Sequence, residues 1–230
     1  MKTFKTFFYT WLTFCMPLNA TESQLIVPTE IAKEEVAAWK DYYDNDVTGL
    51  IQHLSHLVIV EFRLNQLTAW TTVIPQLITA AAIFKDVPHS APKETYEKQV
   101  LPHLEDAYLA IKKALNGQWD SQKAAQLELE WWLYRRESHM NSPEIVGEKI
   151  ANLYELIYGE KDEDHFNKAG YLRAVAARYR DLCQQMRGKL EESDWLIIEN
   201  ILENSYKEMA LGIQTNEQYN RKVAEKAKHK

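Results

Sequence analysis

The run Glu128-Leu129-Glu130-Trp131-Trp132-Leu133-Tyr134-Arg135-Arg136 holds two carboxylates, two indoles and two guanidiniums within about two and a half helical turns. On a helix Trp131 and Arg135 are four apart, as are Trp132 and Arg136, so each indole is expected beneath a guanidinium. With Leu127, Trp131 and Tyr134 turned to the core, Glu128, Trp132, Arg135 and Arg136 occupy the flank. Arginine offers a planar fork for carboxylate or phosphate and tryptophan an apolar wall, so the chemistry implied is recognition of an anionic or planar ligand. The competing reading is plain structure, with Arg and Glu in surface pairs and the tryptophans only packed.

A second set lies on Tyr171-Leu172-Arg173-Ala174-Val175-Ala176-Ala177-Arg178-Tyr179-Arg180-Asp181. Arg173, Ala177 and Arg180 share a flank whose alanines allow another helix to come close. If that neighbour is the helix carrying residues 128–136, the shared cleft favours a carboxylate or phosphate ligand. Otherwise Arg173, Arg178 and Arg180 pair with acidic residues of a net-negative surface.

Glu61 and Arg63 are isolated charges in an apolar stretch, and Glu61 falls on the stripe of Leu54, Leu57 and Leu64. A buried carboxylate there needs a partner or a raised pKa, so both residues are buried-charge candidates. His53 and His56, three apart, begin a metal site only if a third ligand comes from elsewhere. No metal, cofactor or catalytic residue is assigned. The chain has no Glu-x-x-His pair for a di-iron bundle and no Gly-rich phosphate loop, Ser nucleophile elbow or zinc-spaced cysteines. The acidic stretch 160–164 lacks the glycine and spaced oxygens of a calcium loop.

These residues must be positioned by helices, because helical spacing runs through the chain and strand alternation does not. Pro28-Thr29-Glu30 opens a helix that falters at Asp44-Asn45-Asp46, and a second starts near Val47. Pro75 is expected to interrupt the helical run beyond Leu64. Residues 92–115 read as one helix closed by Asn116-Gly117; Asp120 or Ser121 caps the next, and Ser142-Pro143-Glu144 another that Gly159 ends. Further faces run through Leu172 to Cys183 and from Trp195 to Ile213. The expectation is an all-α chain: a single bundle of about seven helices over residues 21–214 and a polar, basic tail over 215–230 that frays.

Residues 1–20 read as a signal peptide, with Lys2 and Lys5, an uncharged run over residues 7–16, and Ala20 at the cut. The chain is then exported to a periplasm or the medium. Its removal takes the net charge from −6 to −8 and leaves Cys183 as the single thiol. Acidity of this degree argues against a dedicated nucleic-acid binder. Residues 65–84 carry no charge and are long enough to cross a bilayer, yet their asparagine, glutamines, proline and threonines favour a central buried helix. Three functions are compatible with these features: a binding or interaction protein that takes an anionic small molecule or a partner helix on the Trp/Arg flank, a bundle enzyme with Glu61 or Glu128 as acid or base, or a membrane-associated structural component.

Overall fold

A computed structural model describes residues 27–159 and 163–228, so the leader expected over residues 1–20 lies outside the described residues. Those residues are helical and contain no strand, the β-branched run Leu57-Val58-Ile59-Val60 included. Among them nine helices succeed one another: α1 Pro28–Asp44, α2 Val47–Phe62, α3 Gln66–Asp86, α4 Lys93–Gln99, α5 Leu101–Leu115, α6 Ser121–Arg136, α7 Pro143–Tyr158, α8 Glu163–Arg187 and α9 Glu192–Lys228. One added helix over the expected number arises at Val100, where Pro102 has no N–H to continue the ladder and 92–115 divides into α4 and α5.

Local chemistry sets most boundaries. Asn45 turns into the left-handed region at φ 61° to end α1, and the Asp46 carboxylate accepts from the Gly49 N–H at 3.0 Å to start α2. Asp120 accepts from the N–H groups of Gln122 and Lys123, and Ser142 from that of Ile145, with Pro143 in the first turn.

Three expectations are corrected. Pro75 does not interrupt α3: a π turn over Ala69–Val73 precedes it, and the extra residue relieves the clash between a mid-helix proline ring and the preceding turn. Nor is α3 a central helix. By length and composition it could cross a membrane, yet only 28% of its apolar window is buried; Val73, Ile74, Ala80 and Phe84 face inward while Leu67 and Trp70 are 73% and 43% exposed. Three of its four threonines are satisfied within the helix, Thr71, Thr72 and Thr79 each donating to the carbonyl four residues back. Lastly, α9 does not fade after Thr215 but runs to Lys228. Asn216, 3% exposed, donates to the carbonyls of Tyr158 and Gly159 and so ties α9 to the end of α7.

Packing closes the helices into a ring. α2 lies on α1, α1 on α9, α9 on α8, α8 on α7, α7 on α6, α6 on α5 and α5 on α3, which returns to α2. The α7–α8 seam is the tightest, because a Cβ at Gly147 would lie 2.7 Å from the Tyr171 Cα and one at Gly170 would strike the Gly147 carbonyl oxygen. Two apolar cores result, one centred on Val73, Leu104, Ile111 and Leu129, the other on Ile31, Ile150, Phe166, Ile198 and Leu202. α1, α6 and α8 face one another across the ring without being principal packing partners.

Candidate functional site

Between these three helices and the inner sides of α2 and α3 lies a cavity of about 630 Å³. Glu128, Trp132, Arg135, Arg136, Arg173 and Arg180 all line it, so the tertiary fold brings the two sequence-derived sets together. Helix periodicity explains the division along α6: Glu128 and Arg135 are two turns apart, a rise of about 10 Å that puts them at opposite ends.

One end is cationic and open. Arg135 makes a two-pronged bond to Asp181, with Nε and Nη2 each at 2.8 Å, and also donates to the Tyr43 hydroxyl at 2.7 Å. Arg180 joins Asp181 at 3.2 Å and stacks on the Tyr43 ring at 3.2 Å from its centroid. Arg136 stacks on Phe84 at 3.7 Å and donates to the Val87 carbonyl and the Tyr96 hydroxyl. Lys85 covers the Tyr42 ring and donates to the Tyr42 carbonyl and Asn45. Arg178 meets the Asn141 amide oxygen at 3.1 Å in the amide orientation that satisfies both Asn141 atoms. Among the described residues Lys85, Arg136 and Arg178 have no carboxylate partner. Exposed Lys85, His89 and Gln185 mark this end as the one that meets solvent. The carboxyl-terminal ends of α1, α3 and α6 converge here, each adding about half a negative charge. That offsets part of five cations held against one carboxylate and leaves the end positive. Burial raises the Asp181 carboxyl, but Arg135 and Arg180 outweigh it and hold the group below its ordinary value.

The other end is buried and rich in carboxylates. Glu35, 1% exposed, accepts from both Nε and Nη2 of Arg173, at 3.0 and 2.6 Å, and from the Tyr206 hydroxyl at 2.6 Å. Arg173 also reaches the Tyr154 hydroxyl and lies over the Trp131 ring at 5.4 Å. Glu128 accepts from Tyr108 at 3.0 Å and from the Trp132 indole at 2.8 Å, with no cation at ion-pair distance among the described residues. Behind the lining, Glu61 is buried without a hydrogen-bond partner among the described residues. Burial pushes its carboxyl up to about 7; Arg173 pulls it down, and Glu35 and Glu128 push it further up. Burial likewise pushes Tyr154, Tyr158 and Tyr206 well above the usual phenol range.

Other placements differ from expectation. The guanidiniums of α6 do not stack on their own helix's indoles: Arg135 lies over Trp39 and Arg136 over Phe84, because rings from α1 and α3 fill the space above them. Trp132 packs edge-on against Phe84 at 5.1 Å. Arg63 is not buried; it caps α2 in the left-handed region at φ 51° and points to solvent. His53 and His56 both turn to Glu34 on α1, at 2.8 and 2.9 Å, outside the cavity lining. Burial raises Glu34, and its bonds to the two imidazoles more than reverse that. No group of three metal-ligating side chains occurs among the described residues.

Sequence reasoning missed the α1 wall of Glu35, Trp39, Tyr42 and Tyr43, together with Lys85. A signal existed: Glu35 stands four after Ile31 and four before Trp39, a carboxylate on an apolar face, the same anomaly that singled out Glu61. No protein-family model, curated protein or solved structure matches the chain.

Proposed function

We propose that the chain is an exported binding protein whose cavity holds an anionic small molecule. The observation that carries this reading is the open end, where five cationic side chains face one carboxylate in a chain of net charge −6. The volume suits a small-molecule ligand, since such sites span about 300–1,000 Å³. Two cavity-lining donors, the Arg180 Nε and the Trp131 indole N–H, are buried without an acceptor. Stacking on aromatic faces presents the guanidinium edges to a ligand, and a positive opening draws anions toward it.

The test is calorimetric titration with octanoate, octyl phosphate and octylamine, on the wild type and on an Arg136→Gln/Arg178→Gln double variant. The anions are expected to bind, the amine not, and the double variant to lose about tenfold or more in affinity for the anions. Preference for the amine, or equal anion affinity in both proteins, overturns the reading. The export part rests on residues 1–20 and is tested by the mass of the protein recovered from its native host: loss of those residues supports export, and an intact leader opposes it.

A second reading, an enzyme acting on an anionic substrate, is favoured by Glu128, a cavity-lining carboxylate that meets no cation among the described residues and so stands within reach of a bound substrate's proton. It expects a bound anion to be chemically converted by the wild type and not by Glu128→Gln. Recovery of every bound anion unchanged removes it.

A further inference from the structure

Resting on the anion-binding reading, we infer that the ligand is two-ended: an anionic head held at the open end and a cationic, hydrogen-bond-donating tail, such as an ammonium, held by Glu128 at the buried end. The two ends of the cavity differ in charge sign. The open end carries cations that no carboxylate among the described residues neutralises. At the buried end Arg173 is the cation that acts on Glu61 beside Glu35 and Glu128 among the described residues, and it is already committed to Glu35 through two bonds.

Glu128 is the free acceptor at this end among the described residues. It lines the cavity, and each of its carboxylate oxygens receives one neutral donor, from Tyr108 or Trp132. A carboxylate oxygen has two lone pairs, so both retain accepting capacity, and no cation among the described residues uses it. Glu128 is half-buried, and an ammonium with three N–H donors supplies both the charge and the bonds that its carboxylate lacks. Burial is the main cause of the raised Glu61 carboxyl, and Glu35 and Glu128 add to it. Between the ends run Leu54, Leu57 and Leu77 with the rings of Trp39, Trp131 and Trp132, which suit an apolar body. Two turns of α6 separate Glu128 from Arg135, so the head and tail of the ligand stand about 10 Å apart.

The probes are octanoate, 8-aminooctanoate and N-acetyl-8-aminooctanoate, each titrated into the full chain at pH 8. The amino acid is expected to bind about tenfold tighter than octanoate, and acetylation, which removes the charge, to abolish that advantage. Glu128→Gln should bring the ratio of the two affinities close to one. Octanoate binding as tightly as 8-aminooctanoate to the wild type overturns the two-ended ligand while leaving the anion site standing. Failure of all three probes, with octyl phosphate also silent, overturns both. Because the decisive comparison is made on the wild type, it survives a Glu128→Gln protein that does not fold.

Discussion

The two ends of the cavity are built from the same helices and the same residue types, yet arginine does different work in each. At the buried end Arg173 is matched one to one with Glu35 and fixed further by Tyr154. At the open end, among the described residues, Arg136 and Arg178 meet carbonyl, hydroxyl or amide oxygens and the faces of Phe84 and Tyr96. Breaking a buried ion pair leaves an uncompensated charge in a poor dielectric, whereas a half-exposed arginine without a carboxylate loses little when removed. The buried end is therefore structural framework with one spare acceptor, and the open end is where binding capacity is concentrated.

That contrast breaks most visibly at Glu35. Glu35→Gln leaves Arg173 without its charge partner and is expected to cost about 3–5 kcal/mol, roughly 10 °C in Tm. A shift within a degree would show that the pair is not framework. Next comes Glu61. Its folded value of about 7 lies above its unfolded value of 4.5, so between these pH values the folded state holds a proton that the unfolded state has released. The stability this group contributes is complete below that window and lost as the pH rises through it. Glu61→Gln should thus match the wild type at low pH and exceed it by up to about 3 kcal/mol at pH 8, measured by chemical denaturation. A difference independent of pH would place the Glu61 proton elsewhere.

A smaller effect is expected away from the cavity, at the α7–α8 seam. Gly170→Ala forces a methyl group toward the Gly147 carbonyl and should cost about 1–3 kcal/mol while leaving the ratio of 8-aminooctanoate to octanoate affinities unchanged. A changed ratio would mean that the seam, and not the lining alone, shapes the cavity. Smallest in stability is Arg136→Gln/Arg178→Gln, expected to move the ligand-free protein by about 1 kcal/mol or less while anion affinity falls. Loss of several kcal/mol instead would make the open end framework as well, and the contrast between the ends would disappear.

Much of this was legible in the residues. The spacing of apolar side chains, the caps at Asp46, Asp120 and Ser142 and the breaks at Asn45, Asn116 and Gly159 are set by contacts within four residues, and such contacts can be read along the chain. The same local logic located the Trp/Arg flank and the isolated Glu61. It failed where distant parts of the chain decide the outcome. Pro75 was outweighed by a π turn packed against the bundle, and the tail was held by Asn216 reaching across to the end of α7.

The cavity itself belongs to the tertiary structure. Arg135 meets Asp181 across 46 residues and Tyr43 across 92, and Arg173 meets Glu35 across 138. Each helix determines which side chains share its face, because its period is fixed by backbone hydrogen bonds. Which faces then meet depends on how the helices close into a ring, and that is settled by packing volume and by the pairing of buried charges, quantities that no single segment carries.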